Sequence, residues 1–306
     1  MKRDRELIQR LQIEKEMQKL VKRNVRIDNP RFVRECLEEV SIFHLEGFGI
    51  QWMETSMRYY KHELPFEDLW SVYQSDREFK NFLFDYLAEI EVQLRNVIGQ
   101  TLCMQYGEMG YLDSENFKNR EFHKNFIDDV NNEIRRANEP FVHFYTKRYE
   151  HVPVYIAIEA VTIGTLSKLY SNMKRQDQKI ISKYFGIKSE RVLISYLYTL
   201  TKIRNTCAHH GRLYNRRFST ACAVAHHDEQ ILKKINPEYR INPYRIFSAI
   251  LAMMHLLSKE SAYEVIEHTE NMFKKNKNYE LRYLGYPYQW KEFLENVVEA
   301  VAAQAE

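Results

Sequence analysis

The sequence predicts an all-α fold, on three grounds. Glycine and proline, which form most turns, number only 9 and 7 in 306 residues, less than half of their ordinary share. In several segments apolar residues recur every three or four positions, which is the spacing of one face of a helix. Folds with many short strands need far more turn residues than this chain has. We therefore expect long helices packed around a sizeable core.

The charge and the cysteines argue against several other classes of protein. The 45 Lys and Arg residues nearly balance the 42 Asp and Glu residues, which leaves a net charge of +3. The four cysteines are scattered and form no C-x-x-C pair, so neither a disulfide framework nor a zinc site is expected. We expect no cofactor and no bound metal.

The chain carries no signal for export or for a membrane. It opens with charged residues rather than with the apolar run of a secretory signal. Its most apolar stretches, 153–164 and 246–257, are shorter than the roughly 18 to 20 residues that a membrane span needs. We therefore expect a cytoplasmic protein without a membrane partner.

Residues 1–60 are expected to form a basic, helical N-terminal segment. Within residues 1–26, nine Lys and Arg residues stand against four Asp and Glu residues, and apolar residues recur at helical spacing. The charged face of this helix is either a solvated surface or a contact for nucleic acid, and both interpretations stay open. Asn29 and Pro30 then mark the start of a second helix.

A long core helix is predicted between Pro65 and Leu102. From Phe79 onward an apolar residue recurs at nearly every third or fourth position. On another side of this helix Glu91 and Arg95 lie four positions apart, so their side chains are neighbours. An ordinary ion pair is one interpretation of these two residues. Further helices are expected at about 122–137 and within the apolar stretch 152–170.

The second strong helical pattern covers residues 189–210. Ser189 is of the type that caps a helix N-terminus, and apolar residues follow along one face from Val192 to Cys207. The pattern repeats in 246–257 and 262–273, and a turn is expected at 285–287.

The most informative segment ends this second helix, between Lys202 and Arg217. It holds five basic residues, two histidines, two asparagines and no acidic residue. Asn205 lies one helical turn before His209, so its amide can hold the imidazole by a hydrogen bond. Arg204 and His209 are five positions apart, about 140° around the axis. One copy therefore does not close a pocket, whereas two copies across a two-fold axis could enclose a phosphate.

This set of side chains suits the cleavage of RNA without a metal. A guanidinium matches phosphate oxygens and keeps its charge, while an imidazole can take and give a proton near neutral pH. RNA supplies its own nucleophile in the 2′-hydroxyl group. The absence of clustered carboxylates argues against a two-metal nuclease.

Three other interpretations of the segment stay open. The Arg-x4-His spacing arises by chance in many proteins. Gly211 is a typical helix C-cap, in which case His209 and His210 only complement the helix dipole. A metal site of the chain's paired histidines (His209, His210, His226 and His227) is a third possibility, although adjacent histidines on a helix chelate poorly.

The segment also resembles a known family. The run Arg204-Asn-Thr-Cys-Ala-His-His-Gly-Arg-Leu-Tyr-Asn-Arg216 is similar to the RNxxAHHxRLWNR signature of the Abi-like family of bacterial abortive-infection proteins, with Tyr214 where Trp is usual. Three more stretches, 66–96, 153–170 and 285–290, resemble motifs of that family in the same order. Tyr155 and Ile163 depart from its usual Trp and Phe.

The resemblance implies a fold, a chemistry and a set of site residues. The family is grouped with the HEPN superfamily, whose helical bundles act as metal-independent ribonucleases at a dimer interface. It implies a HEPN-type bundle over 61–290, with an additional N-terminal segment and a C-terminal helix at 291–306. It also implies that Arg204, Asn205 and His209 are the catalytic residues, and that the chain forms a homodimer through this motif. The expected RNA-binding residues are His210, Arg212, Tyr214, Asn215, Arg216, Arg217 and Arg95.

The sequence leaves three functions open. The protein is a phage-defence endoribonuclease, a scaffold that holds a structured non-coding RNA without cutting it, or a helical protein–protein adaptor. If RNA binds, we expect it along the basic end of the second helix, where Tyr214 offers a ring for stacking on an unpaired base. The N-terminal helix would extend this track through Arg10, Lys15, Lys19, Lys22 and Arg23.

Overall fold

The structure is a computed structural model that describes residues 2–137 and 140–305, with side chains for residues 11–137, 140 and 142–303. It is 71% helical and 3% strand, which confirms the all-α prediction. The first helices are α1 (Lys2–Lys22), α2 (Pro30–Glu39), α3 (Ile42–Glu46), α4 (Phe66–Tyr106), α5 (Arg120–Arg136), α6 (Pro140–Arg148), α7 (Val154–Ala160) and α8 (Ile163–Asn172). The remaining helices are α9 (Arg175–Tyr184), α10 (Glu190–Ala208), α11 (His226–Ile235), α12 (Ile246–Met254), α13 (Lys259–Lys275), α14 (Leu281–Leu284) and α15 (Trp290–Ala305).

Helix α4 is the axis of the fold. Its 41 residues span about 60 Å, and α7, α8, α9, α10 and α13 all pack against it. The apolar stripe predicted from Phe79 to Leu102 is buried along its whole length. Because one helix contacts so many others, the side chains of α4 set the positions of elements that are distant in sequence.

Helix α10 lies between α4 and the fully buried helix α12. It packs against α4 and also against α8 and α12, and every residue of α12 is buried. Although α12 is apolar, no helix among the described residues is long and apolar enough to cross a membrane. Leu193, Leu200 and Ile203 put one face of α10 into the core. Its opposite face and its C-terminal end stay at the surface.

The N-terminal helix α1 is amphipathic, as predicted. Its apolar side chains Ile13, Met17 and Leu20 are buried, and the helix packs against α2. Lys15 and Lys22 are exposed. The apolar face of α1 is therefore packed against the rest of the protein, while these two lysines lie at the surface. The side chain of Arg10, which we had placed on the RNA track, lies outside the described residues.

Two very short strands join the N-terminal segment to the axis. They are β1 (Val25–Arg26) and β2 (Leu64–Pro65), and they pair in parallel, with Val25 opposite Leu64. Strands of two residues are too short to show an alternating pattern, so they could not be predicted from the sequence. A 3-10 helix at Gly47–Trp52 lies between them in the chain.

The predicted cap of α10 is correct in position but not in chemistry. Ser189 is the N-cap residue, yet its side chain makes no capping hydrogen bond. The carboxylate of Glu190 instead accepts a backbone hydrogen bond at this end and pairs with Arg175, and both contacts hold its pKa below the ordinary value. The acidic residue thus does the work that the serine was expected to do.

Candidate functional site

The end of α10 is an irregular cap that exposes two histidines. The helix ends at Ala208, and the amide of Gly211 donates to the carbonyl of Thr206 at 2.8 Å. His210 has a φ of 53°, so a histidine rather than Gly211 occupies the left-handed position of this cap. A side chain with a Cβ is costly in this conformation. The alternative interpretation of the segment as a helix end is therefore correct about where α10 ends but wrong about the residue.

Arg204 and His209 both reach the surface at this end. The Arg204 side chain is 34% exposed, with Nε 3.4 Å from Oε2 of Glu91 and the guanidinium 5.4 Å from the centre of the Phe84 ring. His209 and Asn205 are exposed. Neither Nη group of Arg204 donates a hydrogen bond within the described part of the chain.

The expected hydrogen bond between Asn205 and His209 does not form between their side chains. The two residues are joined through the backbone instead, since the amide of His209 donates to the carbonyl of Asn205 at 3.0 Å. His209 follows the last helical residue and has a ψ of 17°. This ψ turns the chain out of the helix after His209, toward His210 and Gly211.

Glu91 is shared by two arginines. Its Oε1 accepts from Nη2 of Arg95 at 2.6 Å, and its Oε2 faces Arg204. Nη2 of Arg95 also donates to the carbonyl of Val161 at 2.9 Å, which ties α4 to the turn between α7 and α8. Arg95 is largely buried behind Arg204. We had expected Arg95 to contact RNA, and this position corrects that expectation: its place is inside the fold.

The segment that follows the cap is held by a buried carboxylate on the axis. Asp76 is fully buried, and its oxygens accept from the amides of Leu213 at 3.2 Å and Tyr214 at 2.8 Å. The hydroxyl of Tyr279 donates to the same carboxylate at 3.0 Å. Three hydrogen bonds from distant parts of the chain thus converge on one side chain.

A buried lysine completes this anchor. Nζ of Lys80 lies 3.3 Å from Oδ2 of Asp76, one helical turn away, and donates to the carbonyl of His210 at 3.4 Å. Burial raises the pKa of Asp76, while Lys80 and the three hydrogen bonds oppose this rise. The Asp76–Lys80 pair therefore holds both the cap and the segment after it against α4.

Tyr214 is part of this anchor and not of the surface. Its ring is fully buried and stacks on Tyr279 with 4.7 Å between ring centres. Its hydroxyl donates to the carbonyl of Asn278 at 3.1 Å, and burial raises its pKa. The prediction that Tyr214 stacks on an unpaired base is therefore wrong, because no face of the ring is open to a base.

Four arginines surround the anchored segment, and we call them the arginine cluster. Three were predicted from the sequence and the fourth, Arg245, was not; the members are Arg212, Arg216, Arg217 and Arg245. None of them lies within salt-bridge distance of a carboxylate in the described part of the chain. Burial lowers the pKa of Arg212, and the neighbouring Arg216 and Arg245 lower it further, although Asp76 opposes them.

Arg245 is fixed by Asn215 and by a close approach of the backbone. Its Nη1 donates to Oδ1 of Asn215 at 3.0 Å and to the carbonyl of Tyr283 at 3.3 Å. Gly285, in the predicted turn, has a φ of 86°, and a Cβ there would lie 2.6 Å from Cβ of Arg245. Asn215, expected to contact RNA, thus also positions an arginine. No sequence motif marks Arg245.

The two outer members of the cluster are supported by rings. The guanidinium of Arg217 lies 4.0 Å from the centre of the Tyr244 ring, and that of Arg216 lies 5.2 Å from Phe218. Arg217 and His210 are exposed. Rings below a guanidinium hold its plane while leaving its hydrogens free. The cluster therefore offers a set of oriented cations to an anion.

Metal ligands are not grouped in this part of the protein. Across residues 2–137 and 140–305, no three His, Cys, Asp or Glu side chains come together as a metal ion would require. His209, His210, His226 and His227 therefore do not form the third alternative site.

Comparison with known proteins gives a family match that ends with the segment from Arg204 to Asn215. A family model described as "Abi-like protein" matches residues 35–215, which is more than half of the chain and includes the axis, the Asp76–Lys80 pair and Arg204 to Asn215. Arg245 lies outside the match. No curated protein and no solved structure matches the chain.

The anchor can be tested through stability. Asp76→Ala should lower the free energy of unfolding by about 3 to 5 kcal/mol, because it leaves the charge of Lys80 buried without a partner. The double variant Asp76→Ala/Lys80→Met should lose less, since no unpaired charge remains. Urea unfolding followed by circular dichroism measures both losses.

The control is Asp85→Ala, on the same helix but exposed, which should change the unfolding free energy by no more than about 0.5 kcal/mol. If the double variant were as unstable as Asp76→Ala alone, the unpaired lysine would not be the cause.

Proposed function

This chain belongs to the Abi-like protein family, and from that membership we propose that it acts in abortive infection, a bacterial defence against phage. In this proposal it is a HEPN-type endoribonuclease that binds RNA and cleaves it without a metal. The observation that carries the proposal is the exposed end of α10, where Arg204 and His209 are followed in the chain by an arginine cluster without a carboxylate at salt-bridge distance in the described residues.

The proposed reaction divides the chemistry between the two side chains. The 2′-hydroxyl of the RNA attacks the adjacent phosphorus and the bond from phosphorus to the 5′-oxygen breaks, which leaves a 2′,3′-cyclic phosphate and a 5′-hydroxyl end. His209 of one copy takes the proton of the 2′-hydroxyl, and His209 of the second copy gives a proton to the leaving 5′-oxygen. Arg204 stabilises the negative charge that builds on the phosphate oxygens. Its two unpartnered Nη groups present the fork that a phosphate accepts.

The environment of Arg204 supports this role. Phe84 and Glu91 hold the guanidinium from below, so that little freedom is lost when phosphate binds. A lone carboxylate at this position would repel a phosphate. Arg95 neutralises Glu91 from the other side, at 2.6 Å, so the group of three keeps a net positive charge. Arg95 thus supports the site without touching RNA.

The arginine cluster is proposed to bind the RNA backbone. The net charge of the chain is only +3, so binding of a polyanion requires that positive charge be concentrated, as it is here. His210, Arg216 and Arg217 line one surface and complete the proposed contacts to phosphates. The exposed lysines of α1 extend the track, since Nζ of Lys19 lies 5.7 Å from the centre of the Phe43 ring on neighbouring α3.

A second copy of the chain is proposed to complete the site. Apolar side chains remain open on the two helices that carry Glu91 and Arg204: Val92 on α4 is 64% exposed and Tyr198 on α10 is 44% exposed. Two such surfaces meeting across a two-fold axis would exclude water and bring two Arg204–His209 pairs together. We therefore propose that activity requires RNA as the substrate and a homodimer, and that it does not require a metal.

A non-cleaving RNA scaffold is the second candidate. One observation favours it: the ring of His209 has no hydrogen-bond partner to orient it within the described residues. A general base is usually held by such a partner. The two candidates share the RNA-binding surface and differ only in turnover.

The catalytic assignment predicts that Arg204→Ala and His209→Ala each lower the rate of RNA cleavage at least about 100-fold. Thermal unfolding should change little, because His209 is exposed and Arg204 lies at the surface outside the apolar core. Cleavage by the wild type should persist in EDTA. The matched controls are Arg191→Ala, on the exposed face of α10, and His226→Ala, an exposed histidine elsewhere; both should cleave normally. Wild-type cleavage by either test variant would contradict the assignment.

The proposed homodimer predicts that Val92→Asp both separates the dimer and abolishes cleavage, because it puts a charge into the proposed contact. Met104→Asp is the control, since Met104 is 82% exposed on the same helix but far from Arg204. Light scattering after gel filtration gives the mass, and a cleavage assay gives the rate. A fully active monomer would refute the composite site.

The backbone contacts predict a change in salt dependence. Reversing Arg216 and Arg217 to Glu should weaken RNA binding and reduce the slope of log affinity against log salt by about 0.7 for each lost phosphate contact. Lys233→Glu with Lys234→Glu makes the same change of charge at exposed positions on α11 and should leave the slope unchanged. Equal slopes in both double variants would mean that RNA binds elsewhere.

A further inference from the structure

We propose that a cleft beside the arginine cluster holds one unpaired base of the bound RNA and reads it through Gln51. The cleft has a volume of about 390 Å³ and lies between the 3-10 helix that ends at Trp52, the start of α4, and α14. The inference rests on the proposed RNA binding and adds a base-selective subsite to it.

Gln51 is the first reason for this proposal. Its side chain lines the cleft, and both its Nε2 and its Oε1 are buried without a hydrogen-bond partner in the described part of the chain. An amide that is buried and unpaired in this way is unfavourable. A rotation of the side chain toward the cleft would let a ligand satisfy both atoms. One donor next to one acceptor is also what the edges of nucleobases present.

Two aromatic side chains in the cleft are the second reason. Trp52 and Tyr283 line it from different elements, and both are only partly buried. The guanidinium of Arg282 lies 4.7 Å from the centre of the Tyr283 ring and covers one of its faces, so the stacking surface is assigned to Trp52. Unpaired bases in RNA are bound by stacking on such rings. Tyr283 packs edge-on against Tyr214, 5.8 Å between ring centres. The sequence predicted that Tyr214 offers an aromatic surface. In the structure Tyr283, which packs against the buried Tyr214, is the partly exposed ring.

The third reason is that both walls of the cleft touch the arginine cluster. The carbonyl of Tyr283 accepts from Arg245 at 3.3 Å. On the other wall, the 3-10 helix starts at Gly47, where a Cβ would lie only 3.1 Å from Nε of Arg212. A strand whose phosphates contact the cluster therefore passes the mouth of the cleft.

The charged side chains of the cleft favour a base over a phosphate. Two carboxylates, Glu63 and Asp68, line it, and the lining cation Arg282 is paired with Glu280 at 2.7 Å. Asp68 lines it and accepts from Nδ2 of Asn278 at 3.0 Å, so a carboxylate faces the space that a ligand enters. This carboxylate would repel a phosphate but can accept a hydrogen bond from the amino group of a base. Exposed Lys61 and His62 lie at the rim, where they can meet the flanking phosphates.

The test compares the affinity of the full-length protein for fluorescent oligonucleotides of A, C and U at several salt concentrations. The wild type should prefer one base by about fivefold or more. Gln51→Leu, which keeps the size of the side chain and removes its polar atoms, should abolish this preference and leave the salt slope unchanged. Trp52→Leu should weaken binding about tenfold, and Trp52→Phe should restore most of it. Gln100→Leu, exposed on α4, is the control.

Each outcome decides between the proposals. If the wild type binds all three oligonucleotides equally, or if Gln51→Leu keeps the full preference, the base-reading cleft is refuted while salt-dependent RNA binding stands. If the wild type shows no salt-dependent binding of RNA, both proposals fail. Tight binding of free adenosine, cytidine or uridine that Gln51→Leu abolishes would assign the cleft to a small molecule and overturn its assignment to RNA.

Discussion

The buried pair of Asp76 and Lys80 is the interaction on which the exposed chemistry of this protein depends. The segment after α10 is irregular, and its amides and carbonyls would be unsatisfied if they packed against an apolar helix. The pair provides an acceptor and a donor for them inside the core. As a result, a loop that contains several like charges is held in one conformation although its arginines repel one another.

The positive charges of the candidate site lie at the surface, whereas the carboxylates that hold them in place are buried. Asp76 and Glu91 are both on α4, both are buried, and each is balanced by a cation four residues further along the same helix. The axis thus fixes Arg204 and the loop without adding negative charge to the surface. This arrangement explains how a nearly neutral chain can present a strongly basic patch.

The sequence predicted what depends on local periodicity and on one contiguous motif. The stripe on α4 and the position of α10 follow from helical spacing, and the family resemblance is confirmed. Burial of Tyr214 could not be predicted, because it depends on Tyr279, 65 positions away in the chain. Arg245 and Gln51 were missed for the same reason: each is placed by contacts that leave no pattern near it in the sequence. The roles of Arg204 and His209 remain predictions.

The left-handed conformation of His210 has a consequence for anyone who would evolve or stabilise this protein. Glycine adopts that conformation without strain, so a selection for heat resistance alone should favour its appearance at this position. A histidine there means that the chain gives up stability at the mouth of its basic patch. Variants chosen only for yield or melting temperature would drift away from the natural surface at this point while their fold improved.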